Sequence, residues 1–349
     1  MKKNIEYVFA SCYTARGYVS FLPRLISNLK RIVLLEGCPG SGKSTFMRKT
    51  GLNFRNRGYE TQFWLSPRDP AYLDGIFIPQ LKMAVIDGNL LSDGVTFDES
   101  IEIQCLDLGT YLRENHGHLA EIEDLHNISA ELSRQVTESL NLAGMAKQEA
   151  GNYNVLSQPS LSEIAQKLSS EILQGTARAD HYFASAVTSQ GIVDYYEEIC
   201  ANCQNRYLLT GAGAGDKSKV IHDIANAALA RGFSVNYYHS KLNPDEVEMI
   251  IIEERRTVVV DAEVLRTSNK PGDIIVEMLP DNDSGIDTTT TSLYEAERRF
   301  NQLLFDAIQK LDQMCEAEQR LSRLVTKAMA FEQVDICCEE LVQEILTMK

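Results

Sequence analysis

The chain contains two long segments that match each other at a constant offset of 174 positions, and this duplication constrains the fold more than any other feature. The Phe-Ala-Ser triplet at residues 9–11 recurs at residues 183–185, and identities continue without a gap to Asp87 and its counterpart Asp261. A repeat of this length is long enough for each copy to bury a core of its own. We therefore predict two domains, a first copy at residues 1–178 and a second copy at residues 179–349.

Residues 37–44, the first loop, read GCPGSGKS and fit the phosphate-binding pattern G-x-x-x-x-G-K-[ST] at every specified position. An apolar run precedes the loop and a predicted helix follows it, so that backbone amides and a helix N-terminus converge on one anion site. We predict that Lys43 reaches the β- and γ-phosphates of a nucleotide and that Ser44 binds Mg²⁺. The predicted nucleotide contacts are Gly37, Cys38, Pro39, Gly40, Ser41, Gly42, Lys43, Ser44 and Thr45.

Asp87 ends an apolar run, which is the place expected of a second acidic magnesium-binding motif. The predicted metal ligands are therefore Ser44 and Asp87, and the predicted catalytic residues are Lys43 and Asp87. A structural alternative is a turn aspartate before Gly88, although the recurrence of the same strand end at Asp261 counts against chance.

Residues 211–218, the second loop, read GAGAGDKS and place Asp216 where the first loop has Gly42. A carboxylate at this turn would lie near the phosphate oxygens, and like charges a few ångströms apart repel each other strongly. Its Cβ also opposes backbone angles that only glycine adopts readily. We predict one working nucleotide site, in the first copy, and a degenerate site in the second.

The alternation of short apolar runs with helical patterns predicts an α/β fold, with two tandem P-loop NTPase-type three-layer domains. Each domain is expected to have a parallel sheet followed by a helical tail. In the first copy the predicted strands are residues 32–35, 61–65, 83–86 and 101–108, and the predicted helices are residues 17–30 and 43–58. The tails are predicted at residues 118–148, 160–174, 290–328 and 333–348, and a mobile loop at residues 280–291.

The charge balance argues against nucleic acid and anionic membranes as partners. Lys and Arg total 34 against 49 Asp and Glu, which gives a formal net charge of −15, whereas phosphate backbones and anionic lipids attract clustered cations. No apolar run approaches the ~18 residues that span a bilayer. The eight cysteines are scattered, as is typical of reduced thiols. We therefore expect a cytoplasmic protein.

The nucleotide is predicted to be ATP by elimination. The guanine-reading motif N-K-x-D is nearly present at residues 269–273, but its aspartate, Asp273, lies one position too far along. A signature of transport ATPases (LSGGQ) is absent, and no glutamate directly follows Asp87 to activate a water molecule.

The tandem Phe-Ala-Ser starts, the GCPGSGKS loop and the Asp-Gly strand end together resemble a bacterial family of duplicated P-loop ATPases that are nucleotide-kinase-like. The resemblance covers essentially the whole chain. It implies that residues 37–44 bind ATP phosphates and that Asp87 assists magnesium. The chain departs from the family at Asp216, and neither copy keeps the histidine that follows the Asp-Gly pair in the family.

Two functions remain open from the sequence, besides a purely structural protein with a vestigial first loop. One is an Mg²⁺-dependent ATPase or phosphotransferase that works at the first copy, and the other is an ATP-responsive binding module with little or no hydrolysis. The residues that could serve an acceptor or the transition state are Asp69, Asp74, Arg16, Arg48 and Arg68, and no spacing in the sequence chooses among them.

Overall fold

The computed structural model describes residues 6–91, 97–113, 119–151, 178–211, 213–266, 270–278 and 290–347. The protein is α/β, with two six-stranded mixed sheets that are each followed by helices, an arrangement compatible with two tandem domains. The predicted helix at residues 160–174 and nearly all of the predicted loop at residues 280–291 lie outside the described residues.

The elements of the first copy are β1 (Glu6–Val8), β2 (Ser11–Thr14), β3 (Gly17–Ser20), α1 (Leu22–Ile26), β4 (Arg31–Glu36), α2 (Lys43–Asn56), β5 (Gln62–Leu65), β6 (Leu73–Ile78), β7 (Met83–Asp87), β8 (Glu102–Asp107) and α3 (Leu119–Gly151). The elements of the second copy are β9 (Ala179–Phe183), β10 (Ser185–Thr188), β11 (Gly191–Asp194), α4 (Tyr196–Cys200), β12 (Asn205–Thr210), α5 (Ala214–Ala230), β13 (Val235–His239), β14 (Val247–Ile252), β15 (Thr257–Asp261), β16 (Asp273–Glu277), α6 (Thr290–Ala328) and α7 (Phe331–Thr347).

The prediction of purely parallel sheets was wrong. The first sheet has the strand order β1-β5-β6-β7-β4-β8, and β6 runs antiparallel to both of its neighbours while the other pairs are parallel. Only residues 79–82 link β6 to β7, and a parallel crossover needs a dozen residues or more. The strand itself escaped prediction because Gly75 and Pro79 make residues 73–79 resemble a loop, although all six residues of β6 are buried.

The predicted helix at residues 17–30 was also wrong. Its first part is β3, which pairs with β2 in a tight hairpin, and only Leu22–Ile26 is helical. Gly17 closes the hairpin with a φ of 101°, an angle that glycine tolerates and other residues avoid. The remaining predicted helices and strands in the described residues begin and end within a few positions of the observed ones.

The two copies pack around an approximate twofold axis. The second sheet repeats the order of the first, β9-β13-β14-β15-β12-β16. The counterparts Phe9 and Phe183 exchange backbone hydrogen bonds of 3.0 and 2.9 Å, and both side chains are buried. A second reciprocal pair joins the Ala15 amide to the Leu242 carbonyl at 3.0 Å, and the Ser189 amide to the Arg68 carbonyl at 3.1 Å.

The helices that follow the sheets cross between the copies. Helices α3 and α6 pack along each other. Helix α7, at the end of the second copy, packs instead on α2 of the first copy, where Val334, Leu341 and Ile345 join the core that contains Phe46 and Phe54. The C-terminal tail of the second copy therefore covers part of the first copy.

We predict that the C-terminal helix stabilises the first copy. Ile345→Ala removes a side chain that is 6% exposed in that shared core, and should lower the free energy of unfolding by about 2–4 kcal/mol. Ile336→Ala, on the same helix but at a 48% exposed side chain, is the matched control and should change it little. Trp64, the single tryptophan, is buried in the first sheet, so its fluorescence during urea unfolding reports on this copy. A Trp64 transition that does not move in Ile345→Ala would contradict the prediction.

Candidate functional site

The first loop is a tight turn built on three glycines. Gly37, Gly40 and Gly42 all have positive φ angles, of 127°, 93° and 96°. Gly42 precedes the first residue of α2, so that the helix begins at Lys43 and its N-terminus faces the loop. The amides of the first helical turn have no acceptors within a helix, and those of residues 43–45 donate to no other described residue. These donors are available to a negatively charged group.

Ser41 adds a further polar group inside the loop. Its side chain is buried, and its Oγ has no hydrogen-bond partner among the described residues. A Cβ on Gly37 would lie 2.8 Å from this oxygen, so glycine keeps the space beside it open. Buried polar groups are rarely left without a partner, and a hydroxyl within a turn of free amides fits a phosphate group.

Lys43 is held next to Asp87 inside the loop. Its Nζ donates to the Gly37 carbonyl at 2.6 Å and to Asp87 Oδ1 at 2.9 Å. Asp87 Oδ1 also accepts from the Asn89 amide at 3.0 Å, so the turn role considered from the sequence exists beside the pairing with lysine. The ammonium group and the carboxylate of this pair lie together at the carboxyl ends of the neighbouring strands β4 and β7.

The predicted metal ligands, Ser44 and Asp87, both lie beside Lys43. Ser44 Oγ accepts from the Leu73 amide at 3.0 Å, which fixes the position of the hydroxyl beside Lys43. In the part of the chain that the structure describes, no group of three His, Cys, Asp or Glu side chains is placed to hold a metal ion. Mg²⁺ commonly takes one or two protein ligands and completes its shell with water and substrate phosphates. Ser44 and Asp87 fit that arrangement.

A cavity of about 530 Å³ lies directly over the first loop. Among the predicted site residues its walls include Pro39, Gly40, Ser41, Gly42, Lys43, Ser44, Thr45 and Asp87. Gly37 and Cys38 do not line the cavity, but their carbonyl groups accept from Lys43 and from the Ser41 amide. The structure thus brings the sequence-predicted residues together in one place.

The opposite wall of the cavity comes from the second copy. Sequence reasoning missed this wall, because no local pattern signals a contact between segments so far apart in the chain. The residues that line it are Cys315, Glu318, Gln319, Ser322, Thr326 and Phe331.

Of the three arginines considered from the sequence, only Arg68 lines the cavity. Its Nε donates to the Tyr13 hydroxyl at 3.0 Å, and its guanidinium pairs with Glu318 of α6. Arg16 forms an exposed ion pair with Asp245 instead, and Arg48 donates to a backbone carbonyl. The structure therefore favours Arg68 over Arg16 and Arg48 as an arginine that can act in the cavity.

Asp74 is a buried carboxylate in the same cavity. Its side chain is 4% exposed and its Oδ2 accepts from Ser11 Oγ at 3.0 Å. Burial raises the pKa of Asp74 to about 7, although the hydrogen bond from Ser11 and the charge of Arg68 act in the opposite direction. Asp69 also lines the cavity, but its Oδ1 is engaged by the Ala71 amide and by the Gln190 side chain.

The second loop has a different conformation from the first. Helix α5 begins at Ala214, three positions before Lys217, the counterpart of Lys43. The amides of Asp216 and Lys217 both donate to the Gly213 carbonyl at 3.1 Å, so the helix itself takes up donors that are open in the first loop. Asp216 places a carboxylate in this first turn, where an acidic group is favourable to a helix N-terminus.

The lysine of the second loop is neutralised by two carboxylates. Lys217 is fully buried, and its Nζ lies 2.7 Å from Asp261 Oδ1 and 2.8 Å from Glu263 Oε1. Glu263 occupies the position of Asn89 in the first copy, so the additional negative charge is peculiar to the second copy. In the first copy this position could attract a phosphate. In the second copy, the carboxylates of Asp261 and Glu263 already occupy it.

Comparison of the chain with protein-family models, with curated proteins and with solved structures finds no match. The resemblance to tandem P-loop ATPases consequently stays a prediction, and the site is interpreted from its own geometry. Within the described ranges, no helix has the length and apolar character needed to cross a membrane.

We predict that Asp74 makes stability depend on pH in the nucleotide-free protein. Because its pKa rises from the ordinary 3.8 to about 7 on folding, the folded state holds this proton more tightly, and stability falls as the pH rises through that interval. Asp74→Asn mimics the protonated form at every pH. Between pH 5 and pH 8, the free energy of unfolding of the wild type should therefore fall by about 3 kcal/mol relative to that of Asp74→Asn. Urea unfolding of both proteins at the two pH values measures the difference. Parallel losses in the two proteins would show that Asp74 does not titrate in this way.

Proposed function

We propose that the first copy binds the triphosphate of Mg²⁺-ATP and that the protein is an ATPase or phosphotransferase. The observation that carries the proposal is the first loop itself, where Gly42 at a φ of 96° ends the turn and leaves the amides of α2 open beside the Lys43 ammonium. Backbone donors, a helix N-terminus and a lysine on one concave surface are the requirements for binding a polyphosphate.

Each residue has a specific part in this proposal. The amides of residues 43–45 and the Ser41 hydroxyl would donate to phosphate oxygens, and Lys43 would exchange its bonds to Gly37 and Asp87 for the terminal phosphates. Ser44 and Asp87 would hold the magnesium ion, whose charge offsets the negative charge of the phosphate oxygens. Release of Asp87 from Lys43 would thus accompany the formation of the metal site.

Two further groups in the cavity favour chemistry over simple binding. Asp74 is a buried carboxylate with a pKa of about 7, a value suited to accepting a proton from water or from an acceptor hydroxyl near neutral pH. Arg68 places a guanidinium group on the same surface, where it is paired with Glu318. Both are held by hydrogen bonds, so their positions are set before any ligand arrives.

The second candidate is an ATP-responsive binding module, and one observation favours it. The second copy forms a wall of the cavity, so a nucleotide bound at the first loop would lie next to α6. Phosphate release separates the candidates, because an enzyme shows magnesium-dependent turnover whereas a module binds ATP without it.

We predict that Lys43→Met weakens binding of Mg²⁺-ATP by about 10- to 100-fold, because hydrogen bonds from an ammonium group to charged oxygens are lost. The same variant should abolish any phosphate release. Lys217→Met is the matched control in the second copy and should leave ATP affinity unchanged, because Lys217 is already paired with Asp261 and Glu263. Calorimetric titration gives affinity and stoichiometry, with one site per chain expected. Two equivalent sites, or equal losses in the two variants, would contradict the proposal.

We predict that Gly42→Asp, which copies the second loop into the first, weakens ATP binding by about 100-fold or more. A non-glycine residue at a positive φ is strained by about 1–3 kcal/mol, and the new carboxylate would repel the phosphates. A Cβ at this position would also lie 3.1 Å from the Phe331 ring. Gly215→Asp introduces the same charge on α5, where a Cβ meets open space, and serves as the control. Retained ATP affinity in Gly42→Asp would refute the role assigned to the loop.

A further inference from the structure

The junction between α6 and α7 lies against the first loop. A Cβ on Gly40 would lie 2.6 Å from the carbonyl oxygen of Ser322, and Thr326 Oγ1 donates to the Gly40 carbonyl at 3.4 Å. Backbone atoms of the second copy therefore contact backbone atoms of the first loop. Any ligand that fills the cavity over this loop has the second copy as a neighbour.

Phe331, the first residue of α7, is the aromatic side chain at this junction. Its ring approaches the Gly42 position, lines the cavity and remains 37% exposed. The next apolar residues along the packed face of α7 are buried against the first copy, among them Val334, Cys338 and Leu341. The ring of Phe331 thus ends an apolar stripe and presents part of its surface to the cavity.

The position of Phe331 is fixed by contacts on both sides. Before it, the Ala330 amide donates to the Tyr111 carbonyl at 2.9 Å, next to the strand end of β8. After it, Asp335 pairs with Lys49 of α2 at 2.5 Å, and Cys338 lies 3.3 Å from Thr50 Oγ1. Because the backbone at Phe331 is already in place, a ligand that contacts the ring has only side-chain freedom to restrict.

The chemistry of the cavity surface points to a nucleobase at this ring. The first loop supplies donors for phosphates, whereas Phe331 supplies a flat apolar face beside the N-terminus of α2. Bases stack on aromatic faces because every base has a π-face, and this contact contributes substantially to affinity. Polar side chains from α6, among them Gln319, Ser322 and Thr326, border the same cavity and offer partners to a base edge.

We propose that Phe331 of the second copy stacks on the base of the nucleotide bound at the first loop. This inference rests on the proposed triphosphate site and adds that the two copies together form one composite nucleotide site. The second copy then has a direct part in binding, even though its own loop is wound into a helix.

The test compares two ligands that differ only in the nucleoside. Calorimetric titration with Mg²⁺-ATP and with magnesium tripolyphosphate is carried out on the wild type, Phe331→Leu and Phe331→Tyr. Phe331→Leu keeps apolar volume against α2 but removes the aromatic face. It should weaken ATP binding by about 5- to 100-fold, the range for the loss of base stacking, and change tripolyphosphate binding by less than about twofold, because phosphate contacts lie elsewhere. Phe331→Tyr should bind both ligands as the wild type does.

The control is Phe305→Leu, which alters a 54% exposed ring on α6 that does not line the cavity, and it should bind both ligands normally. Trp64 fluorescence during thermal unfolding checks that each variant keeps the folded first copy. Equal weakening of both ligands in Phe331→Leu would overturn the inference while leaving the triphosphate site in place, and so would unchanged ATP affinity. A wild-type protein that takes up neither ligand would overturn the triphosphate site and the inference together.

Discussion

The reciprocal contact between the two copies is the constraint on which the rest of the structure depends. Phe9 and Phe183 exchange backbone hydrogen bonds between buried positions that are counterparts in the repeat. Because equivalent atoms pair with each other, the contact sets an approximate twofold axis. The packing of α7 on α2 places the tail of the second copy over the first, and so determines which residues lie above the first loop.

The loops of the two copies differ in backbone conformation, because Gly40 and Gly42 have positive φ angles and their counterparts, Ala214 and Asp216, do not. Gly42 adopts a positive φ and lets α2 begin at Lys43, whereas Asp216 lies inside a helix that begins at Ala214. In the longer helix of the second copy, the amides of Asp216 and Lys217 donate to the Gly213 carbonyl. The Asp216 carboxylate lies in the first turn of this helix, where an anion is favourable. The repulsion expected from the sequence is therefore accompanied by a change of backbone conformation, which removes the turn itself.

The proposed site and the packing of the copies are physically linked. The core that holds α7 on α2 also fixes the start of that helix, at Phe331, beside the first loop, and the pair of Arg68 with Glu318 joins the cavity wall to α6. The second copy, whose own loop is not open, therefore still forms a wall of the cavity over the first loop. This gives a physical reason for a chain to keep both copies after one loop has changed.

The sequence by itself determined the duplication, through the match between its two halves. Local patterns determined the first loop and most helices and strands, because backbone angles at glycines and apolar periodicity depend on neighbouring residues. They also predicted the group of loop residues with Asp87 that the structure brings together. They failed for β6, whose direction follows from a four-residue connection, and for the helix predicted at residues 17–30, whose first four residues form β3 of a hairpin. Only the tertiary structure buried Asp74 and placed Phe331 beside Gly42, because these contacts depend on packing between segments far apart in the chain, which no local pattern specifies.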